Sequence, residues 1–135
     1  MRMISSTAFG LALIAGAAQA DAQSGLHQEK DINDGLLVVA VADKIRRECG
    51  SIGARIFRAR SYVISLREMA EDRGYSEDEI DTYINDKANK AEMRERRNAY
   101  FKSRGASNLD PDSLCVLGHA EMNNGSRIGA LLKAK

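Results

Sequence analysis

The sequence predicts an all-α protein, a single small bundle of four main helices followed by a short C-terminal helical segment. Apolar residues recur at helical spacing along most of the chain. Four glycines follow such segments, where glycine accepts the left-handed backbone that ends a helix: Gly50, Gly74, Gly105 and Gly125. The only two cysteines, Cys49 and Cys115, are expected to form one disulfide that staples the bundle.

The first twenty residues have the composition of an export signal. Arg2 supplies a positive start, residues 8–18 are largely apolar, and Ala18-Gln19-Ala20 is a small-x-small cleavage site. The apolar run is shorter than the roughly 20 residues that span a bilayer. We therefore predict a signal peptide at 1–20, a flexible N-terminal arm at 21–30, a helical domain at 31–135, and export to the periplasm.

The charges of the chain are balanced. The full sequence has 20 Lys and Arg against 19 Asp and Glu, and removing the signal takes away only Arg2. A neutral mature chain has no general attraction for nucleic acid or anionic lipid. The sequence therefore predicts no nucleic-acid partner and no stable membrane insertion after signal cleavage.

Residues 34–50 are predicted to form the central helix. Leu37, Val41 and Ile45 fall at four-residue steps and share one face with Cys49. The alternative is a strand, because residues 36–41 are rich in β-branched side chains. The apolar spacing continues to Ile45 without alternation, which favours a buried helix and places these three residues in the core.

The second helix is predicted at about 52–73, starting after Ser51. Ile56, Val63 and Leu66 belong to a seam of alternating three- and four-residue steps and are expected in the core. The opposite face carries Arg55, Arg58 and Arg60. These could form a basic patch, but the many acids of the chain favour a solvated, ion-paired face.

The third helical region, at about 77–104, follows a capping box of Ser76 and Glu79. Ile84 is expected in its core face. The apolar pattern changes sides halfway, and residues 85–89 are rich in poor helix formers, so a bend is expected there. Its acidic cluster could suggest a cation site, but acids in a first turn are favoured by the helix dipole: Glu77, Asp78, Glu79 and Asp81.

The fourth helix is predicted to begin at Asp110-Pro111 and to place Leu117 in the core. Ser126 could cap a short docked helix in the tail. The sequence contains no recognised catalytic, cofactor-binding or metal-binding motif. The histidines form no metal-ligand pair, since His27 is expected in the N-terminal arm and His119 on the fourth helix, where we expect it to be structural. We expect no cofactor to be required and the protein not to be an enzyme.

Several segments together resemble a small family of exported bacterial proteins known only as a domain of unknown function. They are DGLL, AD-K-IRREC, IGARIF, GYSEDEI, DPDSLC-VLGHAE and the terminal IGALLKAK. The likeness covers nearly all of the mature chain and falls on core, cap and cysteine positions. It implies the fold and export, and it brings no active site.

Three functional hypotheses remain. The first is a non-enzymatic exported helical interaction module with a protein partner, such as an inhibitor, an immunity-type protein or an accessory subunit. The second is an acid- or stress-responsive periplasmic chaperone, which would expose apolar surface at low pH. The third is a small hydrolase that uses carboxylates, which would require two acids close together in a concave site.

Overall fold

The structure is a computed structural model that describes residues 22–135, with side chains from residue 25 onward. The predicted signal peptide at 1–20 lies outside the described residues. The predicted all-α bundle is confirmed, with a small two-stranded sheet added. The elements of the described chain are α1 (Ala22–His27), α2 (Lys30–Glu48), β1 (Ile52–Ala54), α3 (Ile56–Asp72), α4 (Glu77–Asn85), α5 (Lys87–Ser103), α6 (Pro111–Asn123), α7 (Arg127–Ala130) and β2 (Leu132–Ala134).

Helix α2 is the central helix, as predicted. It packs against α3, α5, α6, α7 and β1. Val41 and Ile45 have no exposed surface, while Leu37 is only partly buried at the edge of the same cluster. An apolar face on a helix that is surrounded by other elements loses its contact with water, and this burial is the main stabilising contribution of α2.

The core has two parts, one at each end of α2. The larger part joins α2 to α5, α6, α7 and the strands, and it contains Val38, Val41, Ala42, Ile45, Cys49, Ile52, Phe101, Leu114, Leu117, Ile128, Leu131 and Leu132. The smaller part joins the start of α2 to α1, α3 and α4, and it contains Leu26, Ile32, Ala70, Ile80 and Tyr83. Leu66 is also buried, so the predicted core positions Leu66 and Leu117 are confirmed.

Most of the predicted helix boundaries are confirmed by their caps. The Ser76 and Glu79 capping box is present, and the Asp110 and Ser126 side chains accept hydrogen bonds from the first turns of α6 and α7. Gly74, Gly105 and Gly125 all have positive φ. The boundary predicted at Gly50 and Ser51 was wrong, and the central helix begins at Lys30, earlier than the predicted residue 34.

The chain after α2 forms a strand and not the start of a helix. Cys49 is extended, and β1 pairs antiparallel with β2, with Gly53 opposite Lys133. Ile52 is fully buried in this arrangement. The second helix therefore starts at Ile56, and the tail continues beyond its predicted short helix, α7, into β2.

The prediction of a flexible arm at 21–30 was wrong. Residues 22–27 form α1, and Leu26 has only 2% of its surface exposed. The Asn33 side-chain amide donates to the Leu26 carbonyl oxygen at 2.8 Å. One buried leucine and one buried hydrogen bond hold this segment on α2 and α4, and a single apolar residue is too little to show as periodicity.

Two core predictions on α3 were wrong. Ile56 and Val63 are 71% and 43% exposed. The helix is rotated so that Leu66 and Ala70 form its buried face, because Gly35 of α2 leaves room for the Leu66 methyl groups to approach closely. Ile56 and Val63 lie to one side of that face.

The predicted bend in the third helical region is confirmed as a break. Helix α4 ends at Asn85, and the Asp86 carboxylate caps α5 by accepting from the Asn89 amide at 2.9 Å. The prediction that Ile84 lies in the core was wrong, since it is 42% exposed. Tyr83 is buried in its place, because its hydroxyl donates to the Asn33 side chain at 2.6 Å.

The predicted disulfide is confirmed. Cys49 and Cys115 are bonded, with their Cα atoms 5.2 Å apart. The bond joins the C-terminal cap of α2 to the first half of α6. It therefore fixes two main helices of the larger core against each other.

Candidate partner-binding groove

A groove of about 490 Å³ lies between α2, the two strands and the first turn of α3. We call it the α3 groove. It is lined by Val39, Ala42, Asp43, Arg46, Ile52, Gly53, Ala54, Ile56, Ala59, Leu131, Leu132 and Lys135. A second hollow of about 390 Å³ shares Ala54 and Ile56 with it and extends it toward Phe57.

The groove exists because small and large residues alternate around it. Ala42, Gly53, Ala54 and Ala59 leave space between the three elements, so the neighbouring backbones approach without filling the volume. Ile52 and Leu132 give it a fully buried apolar base. A concave apolar surface of this kind accepts apolar side chains.

Two large apolar side chains stand at the edge of the groove. Ile56 is 71% exposed and Phe57 is 84% exposed. Two turns further along α3, Val63 and Ile64 are also exposed. Of the 17 residues of this helix, only Leu66 and Ala70 are buried. The first half of α3 thus exposes four large apolar side chains, and the pair beside the groove, Ile56 and Phe57, is the part of this set that a ligand in the groove would contact.

The exposed apolar surface of α3 was not predicted from the sequence, although a signal was present. Ile56 is followed by Phe57, and seven residues later Val63 is followed by Ile64. The predicted core-facing row of apolar residues includes only the first member of each pair, Ile56 and Val63. The second member makes the apolar face of α3 wider than one packing partner requires.

Four cations, which we call the basic rim, line the groove and the hollow that extends it. Lys135 lines the α3 groove, and Arg55, Arg58 and Lys133 line the second hollow. All four are exposed, and none lies within ion-pair distance of a carboxylate side chain among residues 25–135. Arg60 is likewise exposed and unpaired within that range. The arginine face is therefore solvated as predicted, but the prediction that it is ion-paired was wrong.

Two members of the rim are held in place by the backbone. The Arg55 Nε donates to the Leu132 carbonyl oxygen at 3.0 Å, and an Arg58 terminal nitrogen donates to the Ala130 carbonyl oxygen at 3.2 Å. A guanidinium has five N–H donors, so each arginine keeps donors for a ligand. The sequence places them here because they flank Ile56 and Phe57 in the first turn of α3.

The acidic residue in the groove does not neutralise the rim. Asp43 pairs with Arg46 at 2.6 Å and with Arg47 at 3.0 Å, both on its own helix. The groove therefore combines an apolar base with a net positive edge. Chemically, it is suited to bind an apolar side chain whose neighbours are negatively charged.

A different concavity, of about 280 Å³, contains two acids, Asp34 and Glu121. Asp34 pairs with Lys30 at 2.6 Å and Arg96 at 3.1 Å, and the hydrogen bond from Lys30 is the main cause that lowers its pKa. Glu121 is buried and accepts a hydrogen bond from the Tyr100 hydroxyl. Burial, followed by this hydrogen bond, raises the pKa of Tyr100.

The two histidines lie in different parts of the molecule. His27 contacts Glu92 at 3.3 Å, whereas His119 is exposed and lies 3.4 Å from the Ser51 hydroxyl. Glu121 points into the core, so His119 and Glu121 diverge as their spacing predicts. Within the described part of the chain, no group of three or more His, Cys, Asp or Glu residues could hold a metal ion.

The acidic cluster at the start of α4 serves the helix and its neighbour. Glu79 completes the capping box, and Asp81 and Glu77 face Arg67 of α3. Of the helices in residues 22–135, none has the length and apolar content needed to cross a bilayer.

The fold and the groove together define a small, disulfide-linked α-helical domain with a surface suited to binding. The chain matches the model of a family of unknown function, DUF5333, over residues 24–133. It belongs to that family, and the resemblance to a domain of unknown function is confirmed. No curated protein and no solved structure matches the chain.

Proposed function

We propose that this protein is a non-enzymatic, exported interaction module that holds a protein partner in the α3 groove. The observation that carries the proposal is the exposure of Ile56 and Phe57 beside a concave apolar surface. Interfaces of this type use a few large apolar residues as anchors, surrounded by a polar rim. Both parts are present at the first turn of α3.

The energies are of the right size for recognition. Full burial of one large apolar side chain contributes about 1.5–3 kcal/mol. Ile56 and Phe57 would gain most of this on binding, since most of their surface faces water in the free protein. An inhibitor, an immunity-type protein or an accessory subunit would each use such a surface.

Export is supported by the covalent bond between Cys49 and Cys115. Structural disulfides persist in oxidising compartments and are rare in the cytosol. Together with the signal-like composition of residues 1–20, this favours the periplasm as the site of action.

A hydrolase that uses carboxylates is less well supported. Asp34 and Glu121 share a concavity, but Asp34 is paired with two cations and its lowered pKa keeps it ionised. A general acid must instead hold a proton near the working pH.

The proposal is tested by partner capture with the oxidised protein from an extract of the producing cells. The Phe57→Ser variant should lose the captured partner, since it removes an 84% exposed anchor without touching the core. Val116→Ser is the matched control, because Val116 is 72% exposed on α6 and lines none of the concavities described above. Equal capture by both variants, or no partner at all, would contradict the proposal.

A further inference from the structure

The basic rim defines the chemistry of the partner. We propose that the bound segment is acidic and carries at least one large apolar side chain, which enters the α3 groove while its carboxylates pair with the rim. This inference rests on the proposed function and names the class of segment that the site takes.

The charge of the rim is local, and no carboxylate side chain among residues 25–135 pairs with it. The full chain is nearly neutral, with 20 basic and 19 acidic residues. Yet Lys135 lines the α3 groove, and Arg55, Arg58 and Lys133 line the hollow that extends it. The acid in the groove lining, Asp43, is already paired with Arg46 and Arg47. A ligand with carboxylates is therefore attracted, and a basic ligand is repelled.

The geometry of the arginines suits carboxylates. Arg55 uses one donor on the Leu132 carbonyl oxygen of β2, and Arg58 uses one on the Ala130 carbonyl oxygen of α7, so each guanidinium has a preferred direction. The remaining N–H groups can form paired hydrogen bonds to one carboxylate. Because the side chains are already ordered, less conformational entropy is lost on binding.

The shape favours a protein segment over the two other candidates. A lipid headgroup layer would meet the rim, but it has no protruding group that fills a concave groove of about 490 Å³. A second copy could offer Leu109, which is 86% exposed beside Asp110. Such a contact joins two different surfaces, so it adds copies without closing a dimer.

The test uses three labelled 12-residue amphipathic peptides and fluorescence anisotropy with the full-length protein, expressed with its own N-terminal segment. All three carry the same Leu and Phe residues on one helical face, and the other face is Glu, Gln or Lys. The Glu peptide should bind at least about tenfold more tightly than the Gln peptide. Its own affinity should fall when the salt concentration is raised. The Lys peptide should not bind.

Variants that remove lysine charges test whether the Glu peptide binds at the basic rim. Combined Lys133→Gln and Lys135→Gln should weaken Glu-peptide binding about three- to tenfold and leave the Gln peptide unchanged. These lysines are chosen because, unlike the two arginines, they donate no side-chain hydrogen bond to the backbone among residues 25–135. Combined Lys87→Gln and Lys90→Gln, on exposed positions of α5, is the matched control and should change nothing.

Several results would overturn the inference. They are equal affinity for the Glu and Gln peptides, no binding of the Glu peptide, and binding to phosphatidylglycerol vesicles in place of peptide. Self-association that Leu109→Ser abolishes would assign the groove to a second copy. If Phe57→Ser abolishes partner capture while the Glu and Gln peptides bind equally, only the acidic character is wrong. If Phe57→Ser leaves capture unchanged, the proposed function fails as well.

Discussion

Asn33 is a buried amide that joins three helices. Its Nδ2 donates to the carbonyl oxygens of Leu26 and Glu29, both at 2.8 Å, and its Oδ1 accepts from the Tyr83 hydroxyl. Leaving such a group unpaired costs about 1–3 kcal/mol, so the network fixes the positions of α1 and α4 on α2. The sequence did not reveal it, because residues 33 and 83 are far apart and periodicity reports burial, not pairing.

Asp31 is the acid whose pKa is most clearly displaced. Two hydrogen bonds from Arg73, one at 2.8 Å, are the main cause that lowers its pKa from 3.8 to about 2. The unfolded chain therefore takes up the proton first as the pH falls. The stabilisation from this pair is complete above about pH 5 and is lost as the pH falls toward 2.

We expect Asp31→Asn to reduce stability at pH 7 and to flatten the fall in melting temperature between pH 5 and pH 2. Because the Asp31 and Arg73 side chains are both partly exposed, solvent screens their attraction, and the loss of stability should be modest. Asp72→Asn is the control, since Asp72 is exposed and forms no ion pair among residues 25–135. Parallel melting curves for Asp31→Asn and the unchanged protein across this pH range would refute the assignment.

Helix α3 shows that a pattern predicts a helix more readily than its rotation. The row of apolar residues correctly predicted a helix ending near Arg73. The predicted burial of Ile56 and Val63 was wrong. The rotation depends on Gly35 of α2, which allows Leu66 to approach. A contact between two helices is not encoded in the spacing of either one.

Glycines at close approaches make a testable contrast. A Cβ on Gly129 would meet the backbone of α6, including the Met122 Cα at 2.7 Å, whereas a Cβ on Gly35 would meet only side-chain atoms of Leu66 and Tyr62. Side chains shift more easily than backbone. Gly129→Ala should therefore cost about 1–3 kcal/mol through overpacking, and Gly35→Ala should cost less.

The measurement for this pair is urea unfolding followed by circular dichroism. Alanine normally stabilises a helix relative to glycine by up to about 1 kcal/mol, so any loss at Gly129 reports the steric clash. A stabilising Gly129→Ala, or a larger loss at Gly35, would contradict the packing described for α7 on α6.

Three features hold the elements of the chain together: the long helix α2, the pairing of β1 with β2, and the disulfide. The first and third could be predicted from a long apolar run and two cysteines. The strand pair could not, because each strand has three residues and is too short for a period-two pattern. The groove depends on that strand pair, so it could not be predicted either.

Reduction of the disulfide should destabilise the protein strongly. The bond closes a loop of 66 residues in sequence separation, for which loop-closure entropy gives about 4 kcal/mol. For a domain of this size, that corresponds to a fall in melting temperature of roughly 10–20 °C. The combined Cys49→Ala and Cys115→Ala variant should melt at the reduced temperature and be insensitive to reductant. Unchanged melting on reduction, or free thiols on the unreduced protein, would disprove the role of the bond.

The most direct measurement is site-specific photo-crosslinking in the cells that produce the protein. A photoreactive phenylalanine analogue replaces Phe57 in one sample and Val116 in another, since both side chains are exposed and lie on different helices. A partner held in the α3 groove predicts a discrete heavier species from position 57 and none from position 116. No product from position 57, or the same products from both positions, would contradict a binding role for the groove.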